Sequence, residues 1–178
     1  MTSTSGKELL ARAIKREKSW SLFDKTSKYE DAADLYIKAA NMFKHEKNLE
    51  EAAKCFLLAV KCYELTDGKY YAASYLLEAA NCLKKINVSE SINLMISAKE
   101  LYSVEGKFQT AAKICKDVAE LMEKDDKFCS INSDKEYLVS VLSKYQEAMD
   151  LFRTENVKSS LLACGKKIVS IYVMLGDF

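Results

Sequence analysis

The chain has 178 residues, 49% hydrophobic and 30% charged, with a formal net charge of +1, no proline and 5 glycines. That length supports a core of ordinary size, and the near-zero charge excludes the bulk basic field of a nucleic-acid binder. So few turn-forming residues argue against a β-sandwich or α/β fold, and no apolar run approaches the ~18 to 20 residues of a membrane span.

The first segment, MTSTSGKELLARAIKREKSW, is polar and lacks the apolar region of a signal peptide, so a cytosolic protein is expected. A helix is predicted over 7–18, with Ser5 and Glu8 at capping-box spacing. The next stretch, 19–26, holds the one tryptophan of the chain, Trp20, with Leu22 and Phe23 among polar residues. Large apolar groups in a connection either fold back onto a core or wait for another surface to bury them.

From residue 27 a pattern recurs about every twenty residues. Ala32-Ala33 returns as Ala52-Ala53, Ala72-Ala73 and Ala111-Ala112. A later pair returns as Met42-Phe43, Cys62-Tyr63, Cys82-Leu83, Leu101-Tyr102 and Leu121-Met122. Leu151-Phe152 and Ile171-Tyr172 keep that slot after an interruption at 124–135. Each block is one amphipathic helix. Tyr29, Ala32, Ala33, Tyr36, Ala40 and Phe43 form a single stripe, in which alanines allow close approach and aromatics fill the space between helices. Ser27 with Glu30, and Asn48 with Glu51, have capping-box spacing, and Gly68 and Gly106 sit where helices are expected to end.

Such repeats predict an all-α fold: one domain over 1–178, a right-handed superhelical, tetratricopeptide-like α-solenoid of antiparallel helix hairpins. Two blocks exceed the 34-residue tetratricopeptide unit, and its W-x-x-L-G-x-x-Y signature is absent. The 6 cysteines form no C-x-x-C pair and read as reduced, mostly core residues, with Cys129 in the loop the most exposed thiol. The single histidine, His45, has no partners at ligand spacing, so neither a metal nor any other cofactor is expected. No nucleophile motif, phosphate loop or isolated acid–base pair suggests an enzyme.

YEDAADLYIKAANMFKHEKN, EAANCLKK, ESINLMISAKELYSVEGKFQTAAK and YQEAMDLFRTE resemble the soluble NSF attachment proteins of the α type. The resemblance runs from about Gly6 onward and covers the N-terminal part of such a protein, without the family's compact C-terminal helical bundle. It implies an adaptor that coats a SNARE four-helix bundle and presents it to the NSF ATPase for disassembly in vesicle fusion and recycling. Such an adaptor hydrolyses nothing itself and works at the cytosolic face of membranes. It further implies that basic residues hold the acidic bundle; the matching positions are Lys47, Lys84, Lys85, Lys107, Lys113 and Lys167, while a further basic position falls on Ala163. Trp20, Leu22 and Phe23 occupy the place of the family's membrane-attachment loop, although the family's glycines are missing from it. Contact with the ATPase is expected through the C-terminal bundle, so this polypeptide alone is not expected to stimulate it. The apolar residues of 160–175 invite self-association. The rival reading is a generic tetratricopeptide-like scaffold that clamps a peptide carboxylate with Asn and Lys.

Overall fold

The computed structural model describes residues 5–20, 25–124 and 135–176. Among them there are eight helices and no strand: α1 (Gly6–Lys18), α2 (Lys25–His45), α3 (Leu49–Glu64), α4 (Lys69–Leu83), α5 (Val88–Val104), α6 (Phe108–Met122), α7 (Lys135–Thr154) and α8 (Lys158–Leu175). They fall into two compact units, residues 1–101 and 102–178, with α5 crossing the division.

In the first unit α1 packs on α2, α2 on α3 and α3 on α4. Short turns between packed neighbours make them antiparallel hairpins. The repeated alanine pairs are the close-approach points: Ala32, Ala33, Ala52, Ala53, Ala72 and Ala73 are all buried. Phe43, Phe56, Tyr36 and Leu83 fill the spaces those alanines leave. Ser91 on α5 is buried and stays satisfied because its hydroxyl donates to the carbonyl of Ala80 at 2.8 Å. Polar clasps fasten α1. Arg16 donates twice to Asp31, at 2.7 and 3.1 Å, and the hydroxyl of Tyr36 donates to Glu17.

In the second unit α6 packs on α7 and α7 on α8. Its core is Ala111, Ala112, Val118, Tyr145, Phe152 and Ile171 with their neighbours. Cys55, Cys62, Cys82, Cys115 and Cys164 are buried free thiols, and burial pushes those of Cys55 and Cys62 up to about 11. Cys129 lies outside the described residues.

The expected caps divide. Ser5 accepts from the backbone N–H of Glu8, and Asn48 from that of Glu51, as the capping boxes require. Ser27 is not at the N-cap position: α2 already begins at Lys25, so Ser27 lies within the first turn. The helix extends backwards because Lys25 and Thr26 meet no breaker. Gly68 does not end a helix either. With φ −81° it is the N-cap of α4, and α3 has stopped at Glu64. Gly106, at φ 69°, does follow a helix end.

Candidate functional site

The cationic positions can now be placed one by one. In the first unit α2 and α4 are both antiparallel to α3, so their C-terminal ends share one edge. The ion pair of Lys44 with Glu78, at 2.7 Å, ties those ends together. Lys47 follows α2 on this edge, and Lys84, the C-cap of α4, and Lys85 lie on it too. Lys47 and Lys85 are exposed and Lys84 is half-buried. Asn41, Lys44, His45 and Lys47 line a shallow cleft of about 540 Å³ there.

The backbone at Lys47 is unusual. Its φ is 61°, in the left-handed region. The N–H of Asn48 donates to the carbonyl of Phe43 and that of Lys47 to Lys44, which closes α2 in a Schellman motif. The same closure after α5 uses Gly106, with Lys107 donating to Tyr102. A β-carbon in that conformation costs about 1–2 kcal/mol, part of which glycine returns through its freer unfolded chain. Lys47→Gly should therefore raise stability by about 0.5–1 kcal/mol, read as a higher midpoint in thermal unfolding. A fall in the midpoint would mean that the lysine side chain holds the turn.

In the second unit Lys107 is the N-cap of α6 and makes no side-chain capping bond. Lysine is poorly suited there, because the free N–H groups and the positive helix end oppose its charge. Lys113, six residues along the same helix, is exposed. Lys47, Lys84, Lys85, Lys107 and Lys113 form no ion pair with any described residue. Lys167 differs. Its ammonium lies 2.6 Å from the carboxylate of Glu123, whose side chain is 15% exposed, so its charge is largely spent inside the unit. Glu123 also ends α6, about 24 Å along the axis from Lys107 at 1.5 Å per residue. Lys107 and Lys167 are therefore not neighbours. Ala163 is exposed and brings no charge.

Trp20 is 83% exposed, directly beyond Ser19, the C-cap of α1. It has not folded back onto the α1–α2 pair. Leu22 and Phe23 lie outside the described residues. Beside Trp20, Arg12, Lys15, Arg16, Ser19 and Leu35 line a cleft of about 370 Å³, with Arg16 already paired to Asp31, so the basic residues that surround Trp20 in the sequence lie beside it in the structure as well. On α8, Leu162, Val169, Val173 and Met174 are exposed. Leu162 and Val169 border a groove of about 760 Å³ shared with Met149 of α7. No helix among the described residues is long and apolar enough to cross a membrane.

A family model described as soluble NSF attachment protein, SNAP, matches residues 4–178. Among curated proteins, the "Alpha-soluble NSF attachment protein" of Homo sapiens is 32% identical over 184 residues, covering 98% of this chain and 59% of that one. The protein of the same name from Vitis vinifera is 30% identical, covering 97% of this chain and 56% of its own length. A "Probable vesicular-fusion protein sec17 homolog" of Neurospora crassa is 28% identical, with 90% and 53% covered. The chain thus spans about half the length of the curated relatives it matches. Among solved structures, the designed helical repeat protein DHR64 superposes with a TM-score of 0.50 at 15% identity, over 97% of this chain and 98% of the other. BtubC (BKLC) from P. vanneervenii gives 0.50 at 12%, over 97% and 74%. Likenesses at such identity speak for the helical-repeat fold alone.

Proposed function

This chain belongs to the soluble NSF attachment protein family, and from that premise we propose that it is the SNARE- and membrane-binding portion of an adaptor. It binds the assembled SNARE four-helix bundle through unpaired lysines and, within a longer family protein, links that bundle to the NSF-type ATPase. It performs no chemistry of its own and acts peripherally, on the cytosolic face of membranes.

One observation carries this reading. Lys47 and Lys107 occupy backbone positions where another residue suits the fold better, a left-handed turn and a helix N-cap. Residues kept against local backbone preference point to a use outside the fold. Lys84, Lys85 and Lys113 add unpaired positive charge that can steer an acidic partner. Lys167 is a weaker member of the set, because binding through it first requires breaking its pair with Glu123.

Exposed Trp20 and the basic cleft beside it support membrane attachment. Each basic residue near an anionic surface contributes about 1 kcal/mol. A fully buried large side chain adds roughly 1.5–3 kcal/mol, enough together for weak, reversible binding. Flotation with vesicles rich in anionic lipid tests it: Trp20→Ser/Phe23→Ser should leave most of the protein at the bottom of the gradient where the unaltered chain rises. Equal flotation of the two would remove the membrane claim. The exposed stripe of α8 supports the self-association that the sequence invites.

A second reading has one observation in its favour. Asn41, Lys44, His45 and Lys47 have the chemistry of a carboxylate clamp for a peptide end, although Lys44 already holds Glu78. Binding of an isolated peptide as tightly as of the assembled bundle would favour that scaffold.

A further inference from the structure

Three helices of the second unit meet around one hydroxyl. Tyr145 of α7 is fully buried, and its hydroxyl has no hydrogen-bond partner among the described residues. A buried polar group in that state is costly, and it points to a second arrangement in which it is bonded. Burial first, and then the carboxylate of Glu123, push the phenol up, so the hydroxyl keeps its proton beside Glu123. Glu120 of the same helix acts on it in the same sense.

Each of these carboxylates has a cation, and the two pairs are built differently. Lys116 and Glu120 are one turn apart on α6, at 3.1 Å. Lys167 reaches Glu123 from α8, at 2.6 Å. The Lys167 side chain is 48% exposed and that of Glu123 only 15%, so an anion arriving from outside meets the ammonium and not the carboxylate. Glu123 is also the C-cap of α6, where the negative helix end opposes a carboxylate and favours a positive neighbour. Between Lys158 and Leu175, α8 carries three lysines and no acidic residue, so the carboxylate that holds Lys167 has to come from another helix.

We propose that Glu123 is a latch on Lys167, opened by an acidic partner, and that the Tyr145 hydroxyl takes the place of the ammonium on Glu123 when it opens. The inference rests on the reading of Lys167 as a cation that meets the SNARE bundle. It makes Glu123 and Tyr145 positioning residues for that contact. With the latch closed, Lys167 is spent inside the unit. A partner already held at Lys113, about 15 Å from Glu123 along α6, keeps its remaining charges near the ammonium and favours opening. The hydroxyl then donates to the carboxylate, so that opening strands no half-buried charge.

Calorimetry of the chain with an assembled SNARE four-helix bundle tests it, with folding of each variant checked by circular dichroism. Glu123→Gln keeps the shape and releases Lys167, so binding should tighten about threefold, the scale of a partly exposed ion pair. Lys167→Ala should cost more in the Glu123→Gln background than beside the unaltered carboxylate. Tyr145→Phe removes a hydroxyl that holds nothing in the closed arrangement. Its thermal midpoint should therefore be unchanged or higher, while binding falls about twofold to threefold. In the Glu123→Gln background the same change should leave binding unaltered, a dependence that a purely structural tyrosine would not show. If Glu123→Gln binds no more tightly while Lys107→Glu/Lys113→Glu still weakens the complex, the latch is overturned and the bundle reading stands. Tyr145→Phe binding as well as the unaltered chain would overturn the part given to the hydroxyl. A chain that binds no bundle would overturn both the latch and the reading it rests on.

Discussion

Changing Lys107 and Lys113 together to Glu should weaken binding to an assembled SNARE four-helix bundle by about tenfold or more at ordinary ionic strength. Both side chains are exposed and ion-paired to no described residue, so the change acts on the surface field and not on internal pairs. The variant also separates binding from folding. At position 107 the substitution replaces a cation by an anion at the N-terminus of α6, where negative charge contributes roughly 0.3–1 kcal/mol of helix stability. A loss of binding then cannot be attributed to a weakened fold. Binding of the unaltered chain should fall with added salt, because exposed charges are screened over ~8 to 10 Å, and the variant should show a flatter dependence. Pull-down and calorimetry against the assembled bundle read both effects. Undiminished binding by the variant would sink the assignment of these lysines.

Phe56→Ala should remove about 3–5 kcal/mol from the first unit, a large share of the ~5–15 kcal/mol that holds an ordinary domain together. Phe56 is 1% exposed on α3, the helix packed by α2 on one side and α4 on the other. Its ring stacks on Tyr75 at 5.9 Å, and the ammonium of Lys44 lies 5.5 Å from its centre. Truncation therefore leaves a cavity and also loosens the side chain whose pairing with Glu78 joins the ends of α2 and α4. Phe56→Leu, which keeps most of the volume, should cost under about 1.5 kcal/mol. Denaturant unfolding followed by helical circular dichroism, with amide exchange resolved on α3, gives the comparison. A loss below about 1 kcal/mol for the alanine variant would mean that α3 is not the central layer of this unit.

Much of the fold was legible because it is written locally and repeatedly. The alanine pairs and the later apolar pair of each block recur at helical spacing, and most of the positions so marked are buried, Ala32, Ala33, Tyr36, Ala40 and Phe43 in α2 and Ala111 and Ala112 in α6 among them, whereas Tyr29, Met42, Leu101, Leu121, Leu151 and Tyr172 are only half-buried. Capping at Ser5 and Asn48 was legible too, because a cap depends on residues three apart. Ser27 and Gly68 misled for the same local reason. A cap motif lying just inside a longer helix has the composition of a start, and a glycine at a helix beginning looks like one at a helix end. The candidate lysines were legible only through family resemblance, since one exposed lysine has the same local chemistry as any other.

The sequence by itself therefore determined the helices, their buried stripes and the family. Those properties depend on spacings within about twenty residues, which a linear pattern records in full. Tertiary structure alone decided which charges are free and which groups meet. Lys167 is taken by Glu123, 44 positions away. The edge at Lys47 gathers Lys84 and Lys85 from another helix, and Glu30 reaches Glu64 and Asp67 across the α2–α3 hairpin. Coulomb energy and stacking depend on distance in space, and residues far apart along the chain become neighbours only when the helices pack.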